Sequence, residues 1–463
     1  MLTKEWPSAS KIHVTNLSVP RSFVAGALAR DWQGHDQVLL DFTITGEKIV
    51  EILPSGSVPH YAPVFDAAGG QAWPPFADLH THLDKGQIWS RASNNDGTID
   101  VARAAVRADT LLNWTAQDVE ARFEFALKSA YAHGTSAIRT HIDCFVPEQA
   151  PVSFSVFRKL RDRWAGRVDL QASALVSANL YDDPATAALV DVIAESGARL
   201  GGVTFRLSED EDPAILAGRL DRLFAIAKSR GLDVDLHVDE NGSPASRTLA
   251  QIAEAVLRSK FQGQVVCGHC CSLSVLTEEH AKHTIALVKE ANIKIVSLPL
   301  INHYLQGRIR DGTPRWRGVP LLRELKEAGV PVSLASDNCR DPYHPFGDHD
   351  ALEIFAGGVK ICHLDGAMSE WATAVTTTPA SVIGASHIAP FKPGSPANFQ
   401  IFNGRSFSEL LARPQADRLV VRNGAPIDTV LPDYRELDSI IKKSIVFCGN
   451  PFEGLDPDSI KGE

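Results

Sequence analysis

The chain repeats one arrangement eight times: a short apolar run rich in β-branched residues that ends in polar residues, with amphipathic helical stretches between the runs. Runs of this kind are typical of buried parallel strands. Strands that alternate with helices predict a (β/α)8 barrel of the TIM type, in which the working residues come from the carboxyl ends of the strands. The runs span residues 76–86, 134–143, 168–175, 200–205, 234–240, 264–269, 293–299 and 330–337, and the helical stretches include 213–230, 246–259, 276–291 and 319–328.

The remaining residues lie at both ends of the chain. With 463 residues, the chain exceeds one barrel of about 250 to 320 residues, so a second, smaller unit is expected. Short alternating runs with turn residues between them occupy 11–69 and resume at 393–450, as in small β-domains. We expect an α/β protein with a barrel at 70–390 and a small β-sandwich domain built from residues 1–69 and 391–463.

The charge balance argues against nucleic acid as the main partner. Asp and Glu outnumber Lys and Arg by 56 to 46, for a formal net charge of −10, and the basic residues form no run. The first seven residues lack the apolar stretch of a signal peptide, and no stretch approaches the roughly 18 to 20 apolar residues of a membrane span. Seven cysteines without regular spacing fit reduced thiols. We expect a cytoplasmic protein that binds a small molecule and no membrane; the oligomeric state stays open, a homo-oligomer included.

Histidines and an aspartate at the ends of the runs predict a metal site. One residue separates His80 from His82, so they share a face of their strand and can reach one ion together. His237 and Asp337 end two further runs at the same expected edge. Three imidazoles and one carboxylate suit Zn²⁺ or Fe²⁺ and leave room for a water molecule. On their own, the first two would equally fit ordinary buried histidines, so the prediction depends on the later ligands.

Two further residues indicate hydrolytic chemistry at such a site. A bound divalent metal lowers the pKa of water from 15.7 toward about 7, which makes hydroxide available at neutral pH. Glu240 follows His237 by three residues, where it can take a proton from the attacking water and return it to the substrate. His269 can hydrogen-bond the attacking hydroxide or the tetrahedral centre. The alternatives are a solvated loop carboxylate for Glu240 and a structural, backbone-bonded histidine for His269.

The Cys-x-x-Cys spacing of Cys267 and Cys270 offers another interpretation, a dithiol redox centre. Thioredoxin-like sites open a helix, whereas this motif ends the sixth run of the predicted barrel. His269 inside the motif also occupies a position where a site residue is expected. We therefore expect these thiols to pack in the core.

Several motifs, taken in order, resemble those of the amidohydrolase superfamily, and within it the group of bacterial cytosine deaminases and N-isopropylammelide amidohydrolases. The resemblance covers almost the whole chain. Its motifs are HTHLD at 80–84, HVDE at 237–240, GH at 268–269, PLINHYLQGR at 299–308 and SDN at 336–338, followed by DP at 341–342 and PFG at 345–347.

The resemblance implies one divalent metal per chain, Zn²⁺ or Fe²⁺. Its implied ligands are His80, His82, His237 and Asp337, and its implied catalytic residues are Glu240, which moves the proton, His269, which assists, and Asp337. Superfamily members with two metals carry a carboxylated lysine at the end of the fourth strand. Residues 205–207 (FRL) contain no lysine, so a single metal is expected.

Departures from the cytosine deaminase pattern concern the substrate. The pyrimidine-binding glutamine expected after the third strand is absent around Ser177, and the second of two successive aspartates is replaced by Asn338. Tyr343 stands where that group has a tryptophan, while Gln306 keeps its place. These four residues are the candidate substrate contacts; the alternative for Gln306 and Asn338 is a loop side chain bonded to the backbone. Ser177 is shorter than glutamine, which leaves space for a larger ring.

The expected function is hydrolytic deamination of an amino-substituted nitrogen heterocycle, a pyrimidine, triazine or pterin-like ring, with ammonia as product. The alternative is hydrolysis of an N-alkylamino heterocycle or a cyclic amide on the same metal, which releases an alkylamine or opens the ring. A metal-binding barrel without turnover is a third interpretation, and Glu240 beside a full ligand set argues against it. Cytosine is expected to be a poor substrate because of Ser177 and Asn338.

Overall fold

The structure, a computed structural model, describes residues 5–26, 36–58, 63–146, 149–183, 186–204, 212–309, 311–414 and 417–441. Its strands are β1 (Lys11–Pro20), β2 (Gln37–Thr45), β3 (Lys48–Pro54), β4 (Val64–Asp66), β5 (Gln71–Trp73), β6 (Phe76–Thr81), β7 (Thr135–Asp143), β8 (Asp169–Leu175), β9 (Leu200–Thr204), β10 (Val234–Val238), β11 (Val265–His269), β12 (Lys294–Ser297), β13 (Val332–Leu334), β14 (Phe399–Phe402), β15 (Leu419–Arg422) and β16 (Ala425–Pro426).

The α-helices are α1 (Ile99–Asn113), α2 (Ala116–Ala132), α3 (Gln149–Trp164), α4 (Ala187–Glu195), α5 (Pro213–Arg230), α6 (Thr248–Ser259), α7 (Glu278–Glu290), α8 (Pro299–Leu305), α9 (Leu322–Glu327), α10 (Ala351–Cys362), α11 (Met368–Trp371), α12 (Thr377–Ile383), α13 (Phe407–Leu411) and α14 (Asp438–Ile441). Within the described part of the chain, none of these helices combines the length and the apolar character needed to cross a membrane.

Eight consecutive strands run parallel to their neighbours in two sheets. The first sheet has the order β6-β7-β8, and the second runs from β9 to β13. Isolated bridges join the sheets on both sides: Thr81 pairs with Asp337 beyond β13, and Ser177 beyond β8 pairs with Val203 in β9. The predicted α/β class and the alternation of strands with helices are confirmed. Closure of the eight strands into a barrel stays a prediction.

Strands from both ends of the chain share one mixed sheet. Its order is β16-β15-β14-β5-β1-β2-β3, with β4 paired to β1. The antiparallel pair β14 and β5 joins the C-terminal strands to the N-terminal strands. The expected association of the two chain ends is thus present as a single sheet of eight strands, at the place of the predicted β-sandwich. The predicted domain boundaries at 69/70 and 390/391 stay predictions.

Aromatic side chains pack the mixed sheet against the parallel strands. Trp73 in β5 is fully buried, and its ring centre lies 5.3 Å from that of Phe23, 5.4 Å from Phe355 and 5.9 Å from Phe402. Burial of each such side chain contributes about 1.5 to 3 kcal/mol. Because β6 begins at Phe76, directly after this cluster, the aromatic contacts fix the start of the strand that carries His80.

Candidate active site

Four side chains at the carboxyl ends of the parallel strands bring their ligand atoms together. His80 Nε2 lies 3.1 Å from His237 Nε2 and 3.7 Å from Asp337 Oδ1. His82 Nε2 lies 3.4 Å from His237 Nε2 and 3.0 Å from Asp337 Oδ1. All four side chains are buried. The structure therefore brings together the whole predicted ligand set, from β6, β10 and the segment after β13.

The donor atoms of this cluster fit a divalent metal ion. Burial lowers the pKa of His80, His82 and His237 well below the usual value, so the three imidazoles are neutral. Their facing Nε2 atoms cannot all satisfy one another, because each neutral ring carries a single proton. Within the described residues, neither carboxylate oxygen of Asp337 has a hydrogen-bond partner. Buried polar atoms without partners are costly, and a cation between them would satisfy the set.

His141 is a fifth buried member that the sequence analysis did not assign. Its ring centre lies 3.9 Å from that of His80 and 4.7 Å from that of His237, and the three residues form a second group of potential ligands. Neither ring nitrogen of His141 has a hydrogen-bond partner in the described part of the chain. A signal was present, because His141 lies near the carboxyl end of β7, as His237 does in β10. The FRL segment at 205–207, on which the single-metal expectation rests, lies outside the described residues.

Glu240 and His269 lie side by side next to this cluster, and Asn302 contacts both. His269 Nδ1 lies 3.5 Å from Glu240 Oε1. The Asn302 amide nitrogen donates to His269 Nδ1 at 3.0 Å and to Glu240 Oε1 at 3.5 Å. With Nδ1 accepting this bond, His269 carries a donor on Nε2, which has no partner among the described residues.

Glu240 has an environment suited to proton transfer. Its side chain keeps 28% of its surface exposed, so a substrate can reach it. Burial of the remainder raises the pKa of the carboxyl, and the nearby His269 opposes that rise. A raised pKa brings a carboxyl closer to the operating range of a general acid or base.

The backbone turns sharply where the site residues leave their strands. Asp239, His269 and Asp337 adopt left-handed conformations with φ of 47°, 66° and 60°. Such conformations cost about 1 to 3 kcal/mol in residues other than glycine and concentrate at functional sites. Gly268 allows the closest approach: a Cβ there would lie 2.8 Å from His80 Cε1, so only glycine leaves room for the His80 ring.

Three of the four predicted substrate contacts lie next to these residues. Gln306 is buried, and its side-chain amide donates to the Glu240 carbonyl at 3.3 Å, which is the backbone bond of the alternative interpretation. Asn338 directly follows Asp337 and donates to Asp341 Oδ2 at 2.6 Å. Tyr343 lies in the same segment, and its backbone N–H donates to Asp341 Oδ1 at 2.9 Å.

Ser177, the fourth predicted contact, follows the carboxyl end of β8. It precedes a 3-10 helix at Ala178–Asp182, and its backbone forms the bridge to Val203. Among the described residues, no hydrogen bond or ion pair joins it to the histidine cluster. The roles of all four residues stay predictions.

The thiols of Cys267 and Cys270 are buried and free. Burial raises the pKa of both well above the usual value, which disfavours the reactive thiolate. The Cys267 carbonyl accepts a weak contact from Cys270 Sγ at 3.9 Å. This environment agrees with the expected packing role rather than with a redox centre.

The site combines two features. Histidines and an aspartate that fit a metal lie at the carboxyl ends of parallel strands, and a carboxylate and a histidine able to move protons lie beside them. This combination defines a hydrolase of the amidohydrolase type. A sequence model described as the amidohydrolase family matches residues 183–428. The chain is 46% identical over 436 residues to the pterin deaminase of Rhizobium rhizogenes strain K84, an alignment that covers 94% of this chain and 98% of the relative. The chain belongs to the amidohydrolase family, which confirms the resemblance and the expected class of hydrolases acting on carbon–nitrogen bonds.

Two more distant proteins are similar to this chain. The N-isopropylammelide isopropyl amidohydrolase of Pseudomonas sp. strain ADP is 25% identical over 325 residues, which are 68% of this chain and 74% of the relative. The crystal structure of the 5-methylcytosine deaminase of Klebsiella pneumoniae with 5-fluorocytosine superimposes with a TM-score of 0.73 at 23% identity, covering 91% of this chain and 98% of the other. The latter similarity supports the fold.

Proposed function

We propose that this protein is a metal-dependent hydrolytic deaminase that releases ammonia from an amino-substituted nitrogen heterocycle, with a pterin-like ring as the preferred substrate. The observation that carries the proposal is the convergence of His80, His82, His237 and Asp337 beside the Glu240–His269 pair. The relative named pterin deaminase supports the choice of ring.

We assign one divalent metal, Zn²⁺ or Fe²⁺, to His80, His82, His237 and Asp337. Neutral imidazoles and a carboxylate are suitable donors for either ion. When bound, such a metal supplies hydroxide at neutral pH by lowering the pKa of water to about 7. The bridges between the edges of the two parallel sheets support the further inference that the eight strands form one barrel around this site.

Glu240 transfers protons, and His269 stabilises the negative charge that develops on oxygen. Glu240 takes one proton of the attacking water and passes it to the ring nitrogen beside the reacting carbon. It then takes the proton of the newly added hydroxyl group and passes it to the amine, so the carbon–nitrogen bond breaks, the carbonyl forms and ammonia leaves as a neutral molecule. The Nε2–H of His269 donates a hydrogen bond to the oxygen that develops negative charge. Asn302 holds both side chains in place through its amide nitrogen.

A panel of ring compounds tests the proposal. The protein, reconstituted with Zn²⁺ or Fe²⁺, is assayed for ammonia release from pterin, isocytosine, cytosine and an aminotriazine, with N-isopropylammelide as the N-alkyl test. We expect close to one metal per chain, the highest kcat/KM for pterin, and a low value for cytosine. Release of isopropylamine without ammonia from any ring would favour the alternative function, and two metals per chain with activity proportional to both would overturn the single-metal assignment.

A further inference from the structure

Lys85 is a buried cation next to the proposed active site. It lies on the turn after β6, three residues beyond His82, and is only 4% exposed. Its Nζ lies 3.4 Å from Asp143 Oδ1, at the end of β7, and 5.0 Å from the centre of the Tyr343 ring. An ammonium group has three donors and is costly to bury unless they are used. These long contacts leave donor capacity within the described surroundings of Lys85.

Two carboxyls beside Lys85 have unused acceptors. Asp84 Oδ1 is buried and has no hydrogen-bond partner among the described residues. Asp143 Oδ1 is also buried and has no hydrogen bond there beyond its 3.4 Å ion pair with Lys85. Asp84 uses its other oxygen to accept from the Asp143 backbone N–H at 2.9 Å, which holds the ends of β6 and β7 together. A buried donor and a buried acceptor therefore lie next to each other without complete partners, which is costly unless a ligand completes them.

Hydrogen bonds from Arg122 to two backbone carbonyls hold the turn that carries Lys85. Arg122 in α2 donates through Nη1 to the carbonyls of Asp84 and Gly86, the latter at 3.1 Å, and so grips the backbone on both sides of Lys85. Arg122 is itself fixed by Asp118, which accepts from Nε at 2.8 Å. This support pre-organises the ammonium group, as binding sites require.

Lys85 also lies beside the segment that carries Asp337. The N–H of Gln87, two residues after Lys85, donates to the Cys339 carbonyl at 3.0 Å, and Cys339 follows Asp337 by two residues. Lys85 and Asp143 thus lie on the side of the site that carries Asn338 and Tyr343, two of the predicted substrate contacts.

We propose that Lys85 and Asp143 form a lactam-reading pair: Lys85 donates to a ring carbonyl oxygen of the substrate, and Asp143 accepts from the ring N–H beside that carbonyl. The preferred substrates are then amino-lactams, heterocycles in which the amino-bearing carbon, an N–H and a carbonyl follow one another in the ring. This inference rests on the proposed deaminase function and narrows its substrate class. Pterin carries such an edge, whereas 2-aminopteridine lacks both the carbonyl and the N–H.

The first test uses the unmodified holoenzyme. We expect kcat/KM for pterin to exceed that for 2-aminopteridine and for 3-methylpterin, which lacks only the N–H, by at least about tenfold. Equal rates for pterin and 2-aminopteridine would overturn the lactam-reading pair while deamination stood. Absence of ammonia from every ring would instead overturn the proposed function, so the two failures are distinguishable.

The second test removes the ammonium. Lys85→Met should lower kcat/KM for pterin about 10- to 100-fold and change that for 2-aminopteridine less than threefold, because only pterin loses a hydrogen bond to a charged donor. The dissociation constant of the dioxo product, lumazine, measured by calorimetry, should rise by a similar factor. Lys282→Met removes an exposed lysine on α7 and should change none of these values.

Other outcomes would assign Lys85 a structural role. Equal losses on both substrates, or a loss of bound metal and a lower unfolding temperature in parallel with the loss of activity, would overturn the proposal. Should Lys85→Met fold poorly, Asp143→Asn supplies the same comparison with 3-methylpterin: its penalty should appear with pterin and vanish for the methylated ring, and an equal penalty on both would contradict the pair.

Discussion

Glu240 owes its position to two amide side chains from one segment. Asn302 in α8 donates to its carboxylate, and Gln306, which follows α8, donates to its backbone carbonyl. Asn302 also donates to His269, so one amide orients both members of the Glu240–His269 pair. Rigid support of this kind matters because proton transfer requires heavy-atom distances of about 2.6 to 3.2 Å in the reacting complex.

This support makes Glu240→Gln an informative change. The amide keeps the size and reach of Glu240 but cannot carry a proton, so we expect kcat to fall about 10²- to 10⁴-fold. Metal content, measured on the same sample, should stay near that of the unmodified protein because Glu240 is outside the proposed ligand set. His82→Asn is the matched comparison and should lose both metal and activity. Near-normal turnover of Glu240→Gln would mean that another group moves the proton.

At the scale of elements, much of the fold follows from periodicity. The expected helix at 213–230 is α5 with the same bounds, and that at 246–259 is α6, which begins two residues later. The four proposed ligands were predictable because the carboxyl ends of parallel strands meet at one edge. Contacts between elements were not predictable: nothing in the sequence shows that Asn302 in α8 reaches His269 at the end of β11, or that the His141 ring packs against the His80 ring.

Backbone conformation was also hidden from the sequence. Asp and His tolerate a positive φ without requiring it, so the sequence does not show that Asp239, His269 and Asp337 adopt left-handed conformations. The need for a glycine at position 268, by contrast, is clear only once the structure places the His80 ring beside it. The position of β11 beside the histidine cluster therefore depends on the close contact between Gly268 and the His80 ring, which the sequence pattern does not reveal.

Gly268→Ala tests this approach between β11 and β6. The added methyl would lie 2.8 Å from His80 Cε1 and 2.9 Å from its Nδ1, so the ring must shift. Overpacking of this kind costs about 1 to 3 kcal/mol, and a displaced ligand weakens metal binding. We expect lower metal content and at least about tenfold lower kcat/KM. Gly366→Ala, where an added Cβ meets nothing within 4 Å, is the control, and equal behaviour of the two variants would contradict the steric argument.

At the scale of the whole molecule, an ion pair between a buried arginine and a half-buried aspartate connects the mixed sheet to the helical layer. Arg418, directly before β15, donates through both terminal nitrogens to the carboxylate of Asp350, with 2.7 Å from Nη1 to Oδ1. Asp350 also caps α10, since its side chain accepts from the Leu352 N–H at 3.0 Å. Arg418 reaches further to the carbonyl of His133 at the end of α2. One pair thus connects the C-terminal strands with two helices of the parallel-strand unit.

The pH dependence of stability should report this connection. Burial alone would raise the pKa of Asp350, but the charge and hydrogen bonds of Arg418 hold it below the usual value. A carboxyl with a depressed folded-state pKa stabilises the protein above its unfolded pKa of about 3.9, and this contribution disappears as the pH falls through the folded value. Asp350→Asn keeps a good helix cap but removes the charge, so it should cost about 2 to 4 kcal/mol at pH 7.

Urea unfolding followed by circular dichroism from pH 7 to pH 3 measures the effect. The difference in unfolding free energy between the unmodified protein and Asp350→Asn should be constant near neutral pH and shrink below about pH 4, because the protonated carboxyl no longer pairs with Arg418. Asp212→Asn alters another aspartate cap, at the exposed start of α5, and should change stability by less than about 1 kcal/mol at every pH. Adding Arg418→Met to Asp350→Asn should recover part of the loss, since the buried guanidinium then no longer lacks its carboxylate. A pH-independent difference would instead mean that the ion pair contributes through shape and not through charge.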